Sequence, residues 1–206
     1  MIIKICGLKS LPDAEAAARA GADMIGLNFY PPSPRCCTDE AAEEICNAAP
    51  DGVRVVGLFV NEQPEDIAQR AHGLGLDAVQ IHGDFPDEGF DGLAGLTVIR
   101  AFSISEEADL ERLENVRADF LLLDAKVEGM HGGTGRSFDW RLAAKARDHT
   151  KAGIILAGGL KPENVAEAIA QARPDGVDVA SGVETSPGVK SAELVEEFIR
   201  AARGAG

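Results

Sequence analysis

No stretch of this 206-residue sequence stays apolar for anything near the ~18 residues that cross a bilayer. The first apolar run is over by Cys6, too soon for the core of a secretory leader. The cytoplasm is therefore the expected compartment. Positive charge is scarce as well: 20 lysines and arginines face 34 aspartates and glutamates, for a formal net charge of −14. That balance argues against a nucleic-acid backbone or an anionic membrane as partner. A small anionic ligand is compatible with it, because a few backbone N–H groups and one arginine bind a phosphate even within an acidic protein. The four cysteines, at 6, 36, 37 and 46, lack the paired spacing of a zinc site, and the histidines do not cluster with them in sequence. Neither a metal nor a disulfide framework is expected.

What the sequence does contain is a regular alternation. Strand-like apolar runs occur at 2–6 (IIKIC), 24–29 (MIGLNF), 54–60 (RVVGLFV), 77–83 (DAVQIHG), 97–102 (TVIRAF), 119–125 (DFLLLDA), 153–159 (GIILAGG) and 176–182 (GVDVASG). Several are apolar throughout, as parallel strands covered on both faces are. Between them lie alanine-rich or amphipathic stretches with helix-start signals. Ser10, Thr38 and Ser191 are predicted N-caps, Gly21 a stop, and a further helix is predicted from Ser103 or Ser105 and another from Ser137 or Asp139. The glycine-rich segment 85–96 predicts a short or ragged helix. A faint repeat, GADMIGL, GLDAVQI, RADFLLL and PDGVDVA, places an acidic turn before every second strand. Eight βα units in one domain spanning 1–206 predict a (β/α)₈ TIM barrel. The rival is a doubly wound open sheet, but the first strand lacks the G-x-G-x-x-G turn of a dinucleotide fold.

In such a barrel the loops after the strands form the active face, and polar and glycine residues gather there. Cys6 ends the first strand, where a cysteine reads either as a small core residue or as a base or nucleophile. Asp124 ends an almost wholly apolar strand; partial desolvation would raise its pKa and suit it to donate a proton, although an aspartate satisfied by the next turn looks the same. Arg35 follows the stiff Pro31-Pro32-Ser33-Pro34 segment and offers a planar fork to a carboxylate or phosphate, or to solvent. Gly158-Gly159 and Ser181-Gly182 follow the seventh and eighth strands, where barrels often hold phosphate. His82 reads first as a rim or core hydrogen-bonding residue. Asp178 sits in an otherwise apolar strand and needs a partner or the wet end of the barrel. The glycine-rich loop around Gly133 has the composition of a lid.

Taken in order, KICGL, FYPPSPR, VQIHG, LLLDAK, GGTGRSFDW, LAGGL, VDVASGVE and SPGVK resemble the motifs of the phosphoribosylanthranilate isomerase family of tryptophan biosynthesis, from Lys4 to Lys190. The resemblance implies a cofactor-free Amadori rearrangement of a phosphosugar. It implies Cys6 as general base, Asp124 as general acid, Arg35 on the substrate carboxylate, and phosphate binding by Gly158, Gly159, Ser181 and Gly182. His82, Asp178 and Gly133 are further substrate-binding candidates. An unperturbed thiol has a pKa of ~8.5, so the base needs a cation nearby; Lys4 serves if it shares the face of Cys6. Cys36 and Cys37 stand where the family commonly has a larger residue. The runners-up are an isomerase that also accepts the histidine-pathway aminoaldose, and a non-catalytic phosphosugar-binding barrel. A monomer is expected, since no exposed apolar seam is evident.

Overall fold

A computed structural model describes residues 1–124 and 140–205. Strands β1 (Ile2–Cys6), β2 (Met24–Asn28), β3 (Arg54–Val60), β4 (Ala78–His82), β5 (Thr97–Ser103), β6 (Phe120–Asp124), β7 (Gly153–Ala157) and β8 (Gly176–Val179) run parallel. They pair in chain order, and β8 closes on β1. The fold is the (β/α)₈ barrel that the alternation predicts.

Among the described residues six α-helices cover the barrel: α1 (Leu11–Ala20), α2 (Asp39–Ala48), α3 (Pro64–Leu74), α4 (Arg141–Ala146), α5 (Val165–Ala172) and α6 (Ala192–Gly204). The hydroxyls of Ser10, Thr38 and Ser191 each accept a backbone N–H from the first turn that follows, and Gly21 ends α1 in the left-handed conformation. Two connections are 3₁₀ segments, Asp87–Leu93 and Glu107–Leu113. The second corrects the helix predicted from Ser103 or Ser105. Ser103 belongs to β5, and the Asp109 carboxylate accepts the N–H groups of Ser105 and Glu106, forming a capping box with Glu106 at the start of a turn that closes as 3₁₀. The lid expected around Gly133, and the helix start at Ser137 or Asp139, lie outside the described residues.

Strand alternation sorts the core into two shells. Outward residues such as Ile3, Ile5, Leu27 and Phe59 pack under the helices, while Met24, Val56, Ala78, Ile99, Leu122 and Ile155 fill the barrel interior. The fourfold acidic repeat has a definite task at the N-terminal end of the barrel. Asp23, Asp77, Asp119 and Asp175 stand just before or at the start of β2, β4, β6 and β8. Their carboxylates accept the N–H of Ile3, Val55, Val98 and Ile154, at 2.7, 2.8, 2.8 and 2.8 Å. Each aspartate's own N–H donates to the carbonyl of that same partner residue. The carbonyl of each aspartate then accepts from the next odd strand: Arg54, Thr97, Gly153 and, closing the ring, Ile2. The repeat is thus a ring of clamps that stitches odd to even strands.

Asp23 and Asp175 are also paired with arginines, so Asp77 gives the cleaner test. Hydrogen bonds to a charged group contribute about 1.5–3 kcal/mol. Asp77→Ala is expected to lower unfolding stability by that amount in a urea titration, with Asp77→Asn, which keeps an acceptor, losing less. Equal midpoints for wild type and Asp77→Ala would show the clamp to be incidental.

Candidate active site

At the C-terminal ends of the strands a cavity of about 390 Å³ is lined by Cys6, Asn28, Arg35, Gln80, His82, Asp124, Gly158, Gly159, Asp178 and Ser181, among others. Larger depressions, of about 760 and 700 Å³, lie beside β6 and β7 at the opposite end and between α2 and α3. Neither gathers residues from the ends of several strands, so the smaller cavity is where chemistry is to be sought.

Its floor is set by β1. Ile3 and Ile5 face the helices, which turns Lys4 and Cys6 inward, as the sequence predicts. Lys4 has no solvent exposure, and its ammonium donates to Asp178 Oδ1 at 2.7 Å. This is the partner that Asp178 needs. Burial alone would lower the lysine's pKa, but Asp178 and the nearby Cys6 leave it raised. Burial pushes the Cys6 thiol up; Lys4 pulls it back, Asp178 pushes it up again, and the balance stays above the ordinary value.

The run IIKIC ends in glycine for a spatial reason. Gly7 has a φ of 78°, and a Cβ there would sit 2.7 Å from Cδ of Arg35. The bare backbone lets the arginine's aliphatic stem cross the end of β1. Arg35 is fixed from its own side too: Asn28 holds the N–H of Tyr30 and the hydroxyl of Ser33, which in turn accepts the Arg35 N–H. Its guanidinium is not turned to solvent. Nε and Nη2 donate to the two carboxylate oxygens of Glu184 at 2.8 and 2.7 Å.

Glu184 is the site residue that the sequence reading missed. It lies in a short antiparallel hairpin, β9 (Glu184–Ser186) and β10 (Val189–Lys190), inserted between β8 and α6. Lys190 approaches it from the other strand at 2.8 Å and also donates to the carbonyl of Ala180. The signal was available, since Ser-Pro-Gly between two short extended runs is a hairpin turn. Burial raises the Glu184 carboxyl, but hydrogen bonds from Arg35 and Lys190 outweigh it and hold its pKa at about 2. Two cations around one anion leave this edge of the cavity with a net positive charge.

The opposite wall carries Asp124 at the end of β6 and His82 at the end of β4. The Gln80 side-chain amide hydrogen-bonds His82 Nε2 at 2.8 Å and orients the ring toward the cavity. Gln80, hidden inside a run that reads as plain strand, was also overlooked. Its buried Oε1 has no partner among the described residues. Arg100, by contrast, does not line the cavity and packs its guanidinium against Phe85 and Phe102.

Gly158 and Gly159, both at positive φ, and Ser181 complete the rim between β7 and β8. Gly182 stands just outside the lining, and a Cβ on it would fall 1.9 Å from the Leu160 carbonyl oxygen. Its role in the structure is to let the two loops lie side by side. Cys37 is buried and Cys46 half-buried; burial pushes both thiols up to about 11, so they are inert packing.

The fold and cavity define a protein of the (β/α)₈ barrel class whose strand ends bring a thiol and a carboxylate to one cavity beside glycine-paired loops. Residues 3–201 match the family model described as N-(5'phosphoribosyl)anthranilate (PRA) isomerase. Curated relatives named N-(5'-phosphoribosyl)anthranilate isomerase include that of Rubrobacter xylanophilus, 46% identical with 98% of both chains covered. That of Trichlorobacter lovleyi is 47% identical at the same coverage. The phosphoribosyl anthranilate isomerase of Thermotoga maritima superposes with a TM-score of 0.90 at 44% identity, covering 99% of this chain and 100% of its own. A solved isomerase in complex with reduced 1-(o-carboxyphenylamino)-1-deoxyribulose 5-phosphate superposes at 0.87 and 42% identity, again over 99% and 100%. The chain belongs to the N-(5'-phosphoribosyl)anthranilate isomerase family.

Glu184 carries an acid-stability prediction. Its pKa, held at about 2 against an ordinary 4.5, stabilises the fold fully above the ordinary value, and that contribution is lost as pH falls through the depressed one. The urea midpoint should therefore drop between about pH 5 and pH 2. Glu184→Gln should flatten part of that drop while lowering stability at neutral pH. A variant profile parallel to wild type would remove Glu184 from the acid response.

Proposed function

We propose that the chain isomerises N-(5'-phosphoribosyl)anthranilate in tryptophan biosynthesis, with Cys6 as general base and Asp124 as general acid. The observation that carries this reading is their placement at the ends of β1 and β6, facing one cavity whose rim is built from the β7 and β8 loops. The working unit proposed is a cytoplasmic monomer without a cofactor.

Asp124 gives its proton to the furanose ring oxygen. The bond between that oxygen and C1' breaks, leaving a protonated Schiff base between C1' and the anthranilate nitrogen. The positive charge acidifies the hydrogen on C2', and Cys6, acting as the thiolate, takes that proton and becomes the thiol. The electron pair forms the C1'–C2' double bond and neutralises the nitrogen. The resulting enolamine tautomerises to the C2' ketone by taking a proton at C1', giving 1-(2-carboxyphenylamino)-1-deoxyribulose 5-phosphate. Burial disfavours the Cys6 thiolate, and the positive charge of the intermediate beside it offsets part of that cost.

Gly158, Gly159, Ser181 and Gly182 hold the phosphate through backbone N–H groups, and His82 contributes hydrogen bonding on the wall. Arg35 offers the substrate carboxylate the N–H groups not engaged by Glu184, from an edge that is already net positive. Gly133 is assigned to the substrate side on family resemblance alone. Asp178 acts from below through its pair with Lys4.

Following the loss of anthranilate fluorescence with substrate generated in situ tests the scheme. Cys6→Ser and Asp124→Asn should each lower kcat by roughly 10²–10⁴-fold, as loss of a positioned acid or base does, with KM much less affected. Arg35→Ala should instead raise KM. Near-normal kcat in Cys6→Ser would take the thiol out of the mechanism, and an Arg35→Ala effect confined to stability would end the carboxylate assignment.

A further inference from the structure

Cys6 does not meet the cavity alone. Lys4 lies directly beneath it on the same face of β1, with no solvent exposure. Its ammonium donates to Asp178 Oδ1 at 2.7 Å and lies close to the Cys6 sulfur over the same bare face of Gly26. Strand register builds this group, pairing Lys4 with Asp178 across β1 and β8, and Cys6 with Gly26 across β1 and β2. Gly26 leaves the space it occupies. A Cβ on that residue would stand 3.0 Å from the Cys6 sulfur and 3.1 Å from the Lys4 nitrogen.

Stability is a poor reason for such an arrangement. Desolvation offsets much of what a buried ion pair gains, and a well-packed apolar pair of similar volume often serves as well or better. The barrel layer just below is filled by apolar residues. What an apolar pair lacks is an electric field at the sulfur. We infer that Lys4 is a positioning residue for Cys6, whose readiness to carry negative charge is set by the balance between the Lys4 ammonium and the Asp178 carboxylate. Only the catalytic consequence rests on reading Cys6 as the base.

The charged groups that face the sulfur come from several elements. Lys4 lies on β1, Asp178 on β8, Lys190 on β10 and Arg35 in the loop after β2, with Asp124 on the cavity wall at the end of β6. Lys4 and Lys190 favour the thiolate, and Asp178 opposes it. The two members of the pair therefore act on Cys6 in opposite directions, which a scaffolding role does not require.

The test is the pH dependence of Cys6 alkylation by iodoacetamide, followed by mass spectrometry of the peptide that contains it. Lys4→Met should move the midpoint to higher pH by roughly 1–3 units, the usual effect of a close opposite charge. Asp178→Asn should move it below wild type. Lys4→Met combined with Asp178→Leu, which leaves no buried charge unpaired, should fall between wild type and Lys4→Met. This double variant decides the matter even if Lys4→Met fails to fold. If the acid limb of kcat/KM shifts in the same order, Lys4 serves the base. If the alkylation order holds while the limb stays fixed, the inference stands and the assignment of Cys6 as base fails. Midpoints unchanged from wild type, or both single variants moving the same way, would overturn the inference and leave Lys4 as scaffold.

Discussion

Taking an ammonium and a carboxylate out of water costs several kcal/mol per ion even after the surroundings relax. Lys4 and Asp178 can stay charged inside the barrel because they meet at 2.7 Å across neighbouring strands. The register that aligns them is the same one that turns Cys6 toward the cavity and Ile3 and Ile5 toward the helices. A one-residue slip of β1 would exchange those faces, burying the charges against apolar helices and leaving isoleucines where the site should be. The ion pair thus marks the level at which the interior changes from apolar packing below to polar chemistry above.

Stability and chemistry occupy opposite ends of the barrel. At the N-terminal end, four aspartates bind the strands pairwise through backbone groups, a device that depends on a carboxylate and leaves the strand sequences free. At the C-terminal end the loops are held by contacts of another kind. Arg35 crosses a bare glycine and is gripped by Glu184, while Gly182 lets the β7 and β8 loops touch. Arg35 and Glu184 lie 149 residues apart, so their contact depends on the closure of β8 against β1.

That difference explains what was legible in the sequence. The strands and most helix starts are local matters of periodicity and caps, and they stand where the pattern puts them. The acidic repeat was visible as a pattern, but the cross-strand N–H groups it serves appear only when odd and even strands lie together. Glu184 escaped notice because a three-residue strand gives almost no periodicity, and its importance comes from Arg35, 149 residues away. Gln80 looks like any residue of an apolar strand until the barrel places it under His82. The segment after β5 carries a true helix-start signal, the Glu106–Asp109 capping box, but the turns that follow it close as 3₁₀.

A protein of net charge −14 that handles a substrate bearing both a carboxylate and a phosphate cannot rely on its overall field for binding. The discrimination has to be local. Around the cavity the cations are individually restrained: Lys4 by Asp178, and Arg35 and Lys190 by one shared carboxylate. Restraint lowers the entropy lost when an anion arrives, and the unequal count of two cations to one anion at Glu184 leaves charge for it to meet. An acidic exterior then has a use of its own, keeping the protein soluble and repelling polyanions that share the phosphate chemistry but do not fit a cavity of about 390 Å³.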